Sequence, residues 1–198
     1  MNTKKVSTEF CWMIVGLAVL GLVFSGAQAQ TKAAKQISIE TLEDIENINP
    51  DLKLDVRVDR EDATYQVGEP IIFCFTANKD CRVTLFNIST SGAIQILFPN
   101  EHAKDNLVKA GTEYRVPAEG AKFRFAARAP VGEDVVKAFA TLEQVALVDQ
   151  SDIKPAGPVQ EVSGEAKDIA IEVQEALKPL DAKRWAEAEK TVKIVEKR

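Results

Sequence analysis

Histidine is almost absent from this chain: of 198 residues, only His102 is a histidine. Because His is the usual proton-transfer group near neutral pH, its scarcity leaves little of the ordinary acid–base and metal-binding repertoire. Cysteine is limited to Cys11, Cys74 and Cys81, so neither a paired Cys-x-x-Cys metal motif nor a dense disulfide framework is available. Aromatic side chains other than Phe are also few, with two Trp and two Tyr, which leaves no stacking platform of the kind that lectins use. The Phe residues beyond the amino-terminal segment fit inward strand positions instead. Clustered positive charge is missing too: 25 Lys plus Arg stand against 30 Asp plus Glu, for a net charge of −5. Nucleic acid is therefore not an expected partner, since binding its phosphates depends on basic patches. There is no Gly-x-Ser-x-Gly elbow, His-Glu-x-x-His pair or Gly-rich phosphate loop, and nothing in the sequence implies a cofactor or a bound metal.

One apolar run is present, at the amino terminus. Lys4 and Lys5 precede an uncharged stretch from residue 10 to 24, followed by small residues ending Ala27-Gln28-Ala29. This is the three-part pattern of a secretory signal, with cleavage expected between Ala29 and Gln30. At about 15 residues the run is short of the roughly 20 that span a bilayer; an uncleaved anchor is the competing reading, since the uncharged length extends to Thr31. No Cys follows the small-residue site, which argues against a lipoprotein. The mature chain is expected to be periplasmic or secreted, acidic, and not stably inserted in the membrane.

Export changes how Cys74 and Cys81 read. They are the only cysteines after residue 29, and they flank Asn78-Lys79-Asp80, a plausible hairpin turn between two apolar runs. A disulfide between them is expected, with two buried free thiols as the alternative.

Residues 30–51 are mixed and acidic and read as a tether or marginal helix, in which Leu42, Ile45 and Ile48 contribute to a short apolar stripe ended by Pro50. A single domain is expected over residues 52–198. Leu54, Val56 and Val58 alternate with charged residues as in a strand with one wet face. Further strands are expected around Tyr65 and Val67 and over residues 71–76, 81–88, 93–98, 112–116, 123–127 and 135–142, divided by Gly, Pro, Asn and Asp turns. Residues 149–164 read as a loop, and Ala166, Ile169, Ala170, Val173 and Leu177 as the apolar stripe of a helix that ends before Pro179. The last segment fits either strand or helix, and its β-branched residues favour a strand over about 190–197. The expected fold is a mainly β, antiparallel sandwich, Ig-like or barrel-like, with one amphipathic helix near the carboxyl terminus and a loop-and-helix insertion at about 149–180.

Sequence order also carries a family resemblance. Val58-Asp59-Arg60, Tyr65-Gln66-Val67-Gly68-Glu69, Ile71-Ile72-Phe73 and the run from Gly92 through Leu97-Phe98-Pro99-Asn100 resemble the bacterial domain-of-unknown-function family DUF4384. Lys109-Ala110-Gly111, Tyr114-Arg115-Val116-Pro117 and Ala129-Pro130-Val131-Gly132-Glu133 follow in matching order. The resemblance covers roughly residues 54–142. It implies an exported or envelope β-rich module of the kind often fused to kinase, caspase-like or repeat domains, hence a binding or adaptor part that brings no catalytic residues. The chain is expected to stand alone behind its signal, with any partner coming from another polypeptide.

The Leu-Phe-Pro-Asn tetrad has a physical reading of its own. Phe98 plugs one end of the sandwich, Pro99 stops the strand ladder, and Asn100 bonds back to the main chain as an Asx-turn. A functional reading makes Asn100, Glu101, His102 and Asp105 a ligand-facing loop at that end. The expected function is a non-catalytic binding or adaptor module of the cell envelope, recognising a protein or envelope component. The alternatives are an envelope hydrolase using carboxylates borne on different strands, and a carrier of a small ligand inside the sandwich.

Overall fold

The computed structural model describes residues 40–197. The expected signal segment, its cleavage site at Ala29 and Gln30, and the first part of the expected tether lie outside the described residues.

The strands in chain order are β1 (Leu54–Val58), β2 (Thr64–Gln66), β3 (Pro70–Ile71), β4 (Phe73–Ala77), β5 (Cys81–Ile88), β6 (Ile94–Phe98), β7 (Leu107–Val108), β8 (Tyr114–Val116), β9 (Phe125–Ala126) and β10 (Gly132–Thr141). They are followed by β11 (Ile153–Ala156), β12 (Val159–Val162), the helix α1 (Ala166–Leu177) and β13 (Trp185–Val195). An eight-stranded sheet runs β11-β12-β6-β5-β10-β13-β2, with β7 also paired to β5. A three-stranded sheet has the order β1-β4-β8, and β3 and β9 form a separate two-stranded ribbon. All pairs are antiparallel except β13 with β2.

Strand alternation produces two cores. Phe73, Phe75 and Ala77 of β4 and Val56 and Val58 of β1 face Val83 and Leu85 of β5, Val136 and Ala138 of β10, and Val192 and Ile194 of β13, filling the space between the two larger sheets. The other face of the eight-stranded sheet carries Phe86, Ile88, Ile94, Ile96 and Phe139, which pack under Ile169, Ala170, Val173 and Leu177 of α1. A sheet apolar on both faces must be covered on both, and the helix supplies the second cover.

Four expectations change. The turn at residues 78–80 does not close a hairpin: β4 belongs to the three-stranded sheet and β5 to the eight-stranded one, so the chain crosses between layers. Cys74 and Cys81 are accordingly free, buried thiols and not a disulfide. Cys81 joins the inter-sheet core, whereas Cys74 alternates with Phe73 and Phe75 and turns to the opposite face of β4. The expected loop at 149–164 contains the hairpin β11–β12, hydrogen-bonded onto the edge of the large sheet through β6. Finally, the segment read as a tether is docked from residue 40 onward: Leu42 and Ile45, around a 3-10 turn at Leu42–Asp44, are buried in the helix-covered core.

The terminal segment is a strand, as its β-branched residues indicated, and it is longer than expected because Trp185–Val195 pairs along the whole of β10.

Candidate functional site

The loop after β6 is set by Asn100, which is 1% exposed. Its Nδ2 donates to the Leu97 carbonyl at 2.7 Å, and its Oδ1 accepts from the amides of His102 (2.9 Å) and Ala103 (3.0 Å). Main-chain bonds in both directions between Asn100 and Ala103 close the turn. Every polar atom of this side chain is engaged by the backbone, so Asn100 shapes the loop and is not itself presented to a ligand. Phe98, at the end of β6, is buried against Phe75 with ring centroids 5.3 Å apart.

The corner turns Glu101, His102 and Asp105 outward, together with Lys104. His102 stacks on Phe123 at 4.3 Å and 14°, and Phe123 meets Phe125 edge-on at 5.5 Å. Asp105 accepts from the amide of Leu107 at 3.0 Å and lies 3.8 Å from the Arg82 guanidinium. Arg82 also donates to Asn106 Oδ1 at 3.0 Å, which ties the end of the loop to β5. Glu101 and Lys104 make no ion pair among the described residues.

Two clefts flank this loop. One, of about 500 Å³, runs between His102 and Asp105 on one side and the 118–123 turn on the other. The second, of about 430 Å³, lies on the helix-bearing face of the eight-stranded sheet, in a part of it that no α1 residue lines. Phe86, Ile96 and Leu147 form its apolar floor, and its walls carry Arg82, Glu101, Lys104, Asn106, Gln144 and Gln160. Gln160 Nε2 donates to the Pro99 carbonyl at 3.2 Å, so β12 closes one end of the cleft. The chemistry offered is hydrogen bonding by amides of both polarities beside charges of both signs.

The structure thus separates the four loop residues singled out in the sequence: Asn100 is internal, Glu101 faces the amide-walled cleft, and His102 and Asp105 face the other. Among the described residues, no group of three His, Cys, Asp or Glu is placed to hold a metal ion. Arg82, Asn106, Gln144 and Gln160 were missed, because they come from β5, a loop and a hairpin that local sequence does not bring together. Only the apolar pair Val159 and Val162, bracketing Gln160 and Glu161, hinted at a strand there.

The two buried thiols are poor nucleophiles. Burial pushes Cys81 up to about 11, with Asp80 adding to the rise. Cys74 is also raised by burial, against the pull of Arg57 and Arg115, its cross-strand neighbours. Thiolate chemistry at neutral pH is disfavoured at both.

A mainly β module with a main-chain-braced end loop between two clefts is the class of protein that this architecture defines. Residues 64–144 match the family model described as domain of unknown function (DUF4384), the family that the sequence motifs resemble. The match runs from β2 past β10, so it includes the Asn100 corner but not the β11–β12 hairpin or α1. No curated protein and no solved structure matches the chain. Among the described residues, no helix is long and apolar enough to cross a membrane.

Proposed function

We propose that this protein is an exported, non-catalytic binding module of the bacterial cell envelope, and that it engages a protein or envelope component through the 99–106 loop and its amide-walled cleft. The observation that carries this reading is the Asn100 corner. A fully bonded, buried side chain fixes the loop, while Glu101 and Lys104 at its crest have no ion-pair partner among the described residues. A fixed loop loses little conformational freedom on association, which favours recognition. The amino-terminal signal pattern supports export, with removal after Ala29 leaving an acidic chain outside the cytoplasm.

In living cells, crosslinking of tagged protein followed by mass spectrometry of the envelope fraction tests the reading. A reproducible partner that disappears with Glu101→Ala/Lys104→Ala is the expected result. A partner profile unchanged by that double variant removes the loop from the account, and no partner above background removes the adaptor role.

A further inference from the structure

A third cavity, of about 250 Å³, opens between the β3–β9 ribbon and the β5, β6 and β12 part of the large sheet. It shares no lining residue with either cleft beside the 99–106 loop. Its floor is the inter-sheet core itself: Phe73, Leu97, Phe125 and Val159 line it. Its mouth is polar. Asn87 and Gln95 are register partners on β5 and β6. Each lies between residues committed to the helix-covered face, Phe86 and Ile88 for one and Ile94 and Ile96 for the other. Alternation therefore turns both amides to the inter-sheet side, where apolar residues would be expected if the two layers closed there. They are half-buried and make no side-chain hydrogen bond among the described residues.

Charge at the same mouth has one excess sign. Arg124 and Arg128 line it, are exposed, and form no ion pair among the described residues. The acid nearby, Asp134, is occupied by the Thr90 amide at 2.9 Å and hydroxyl at 3.1 Å. An apolar floor under two amides and two unpaired guanidiniums is complementary to a molecule that is apolar at one end and anionic at the other.

We infer that this cavity binds a small anionic amphiphile, with an aliphatic tail against Phe73, Leu97, Phe125 and Val159 and an anionic head, such as a carboxylate, held at Arg124 and Arg128. The volume accommodates about eight water-sized groups, which sets the tail at about eight carbons. This site goes beyond the proposed adaptor role and stands or falls separately from it.

The test is calorimetric titration of the purified full chain with octanoate, with octanol and acetate as controls for the head and the tail. Saturable octanoate binding is expected, with octanol and acetate each binding at least about tenfold more weakly. Arg124→Gln/Arg128→Gln, a surface change that leaves the core intact, is expected to weaken octanoate by about tenfold and to leave octanol unchanged. Leu97→Phe, which fills the floor, is expected to abolish binding while circular dichroism still reports the β fold. No saturable octanoate binding overturns the inference. So does octanol binding as tightly as octanoate, which would reveal a merely apolar hole, or acetate doing so, which would reveal a merely cationic surface.

Discussion

Lys137 Nζ lies 2.8 Å from a carboxylate oxygen of Glu187, on a side chain only 1% exposed at the centre of the eight-stranded sheet. Glu189, its register partner on β13, is 3.2 Å away, and the Glu43 carbonyl of the amino-terminal turn accepts from the same ammonium at 3.5 Å. This lysine joins the docked segment at 40–48 to the sheet beneath. Removing one partner of a buried pair is strongly destabilising, although Glu187 at 20% exposure keeps some access to water. Lys137→Ala is expected to cost about 3 kcal/mol in urea unfolding. Lys137→Met, which restores the aliphatic stem, is expected to recover part of that loss. Equal stability of Lys137→Ala and wild type would show that the pair does not anchor the segment.

The Asn100 corner makes its own stability demand. Asn100→Ala leaves the Leu97 carbonyl and the amides of His102 and Ala103 without their side-chain partners, and a loss of about 3 kcal/mol is expected. Asn100→Asp keeps both acceptor bonds, loses the donation to Leu97, and is expected to fall between the two. Denaturant midpoints of the three proteins check the order.

Thiol chemistry distinguishes the layered crossing from a hairpin staple. Cys74 and Cys81 are both expected to resist alkylation in the native protein and to label fully on unfolding without a reductant, as read by mass spectrometry of their peptides. A requirement for reductant before Cys74 and Cys81 label would contradict the free-thiol arrangement.

Alkaline pH weakens the fold through Cys81. An unfolded thiol ionises near pH 8.5, whereas the buried one is pushed up to about 11, so the unfolded chain releases its proton first. Stability is therefore whole below about pH 8.5 and falls as pH rises toward 11. Tyr65 adds to the loss at the upper end, since burial and its O–H bond to Asp59 at 2.7 Å raise its ionisation. Chemical unfolding across pH 8 to 10 should show a shallower decline in Cys81→Ala than in wild type.

Much of this architecture is legible locally. The alternation of Leu54, Val56 and Val58 with charged residues specifies β1, and the Leu-Phe-Pro-Asn corner announces both the end of β6 and the Asx-turn that follows. The β-branched residues near the end identify β13. What local pattern does not report is partnership between distant segments. Residues 78–80 have hairpin composition, yet the inter-sheet core takes β4 and β5 into different layers. Lys154 and Pro155 make β11 look like loop because it is an exposed edge, where such residues limit further pairing. Leu42 and Ile45 form too short a stripe to predict docking, because the surfaces that bury them come from α1 and β10, far along the chain. The same limit hides the cleft: Arg82, Asn106, Gln144 and Gln160 become neighbours only after the sheet forms.

The most direct test of the binding role places a photoreactive side chain at Glu101, at Lys104, or at Thr191, an exposed residue of β13, as the control, and illuminates cells carrying each protein. The expected result is the same crosslinked partner from positions 101 and 104 and none from 191. Identical products from all three positions, or none from 101 and 104, would contradict recognition through the Asn100 loop.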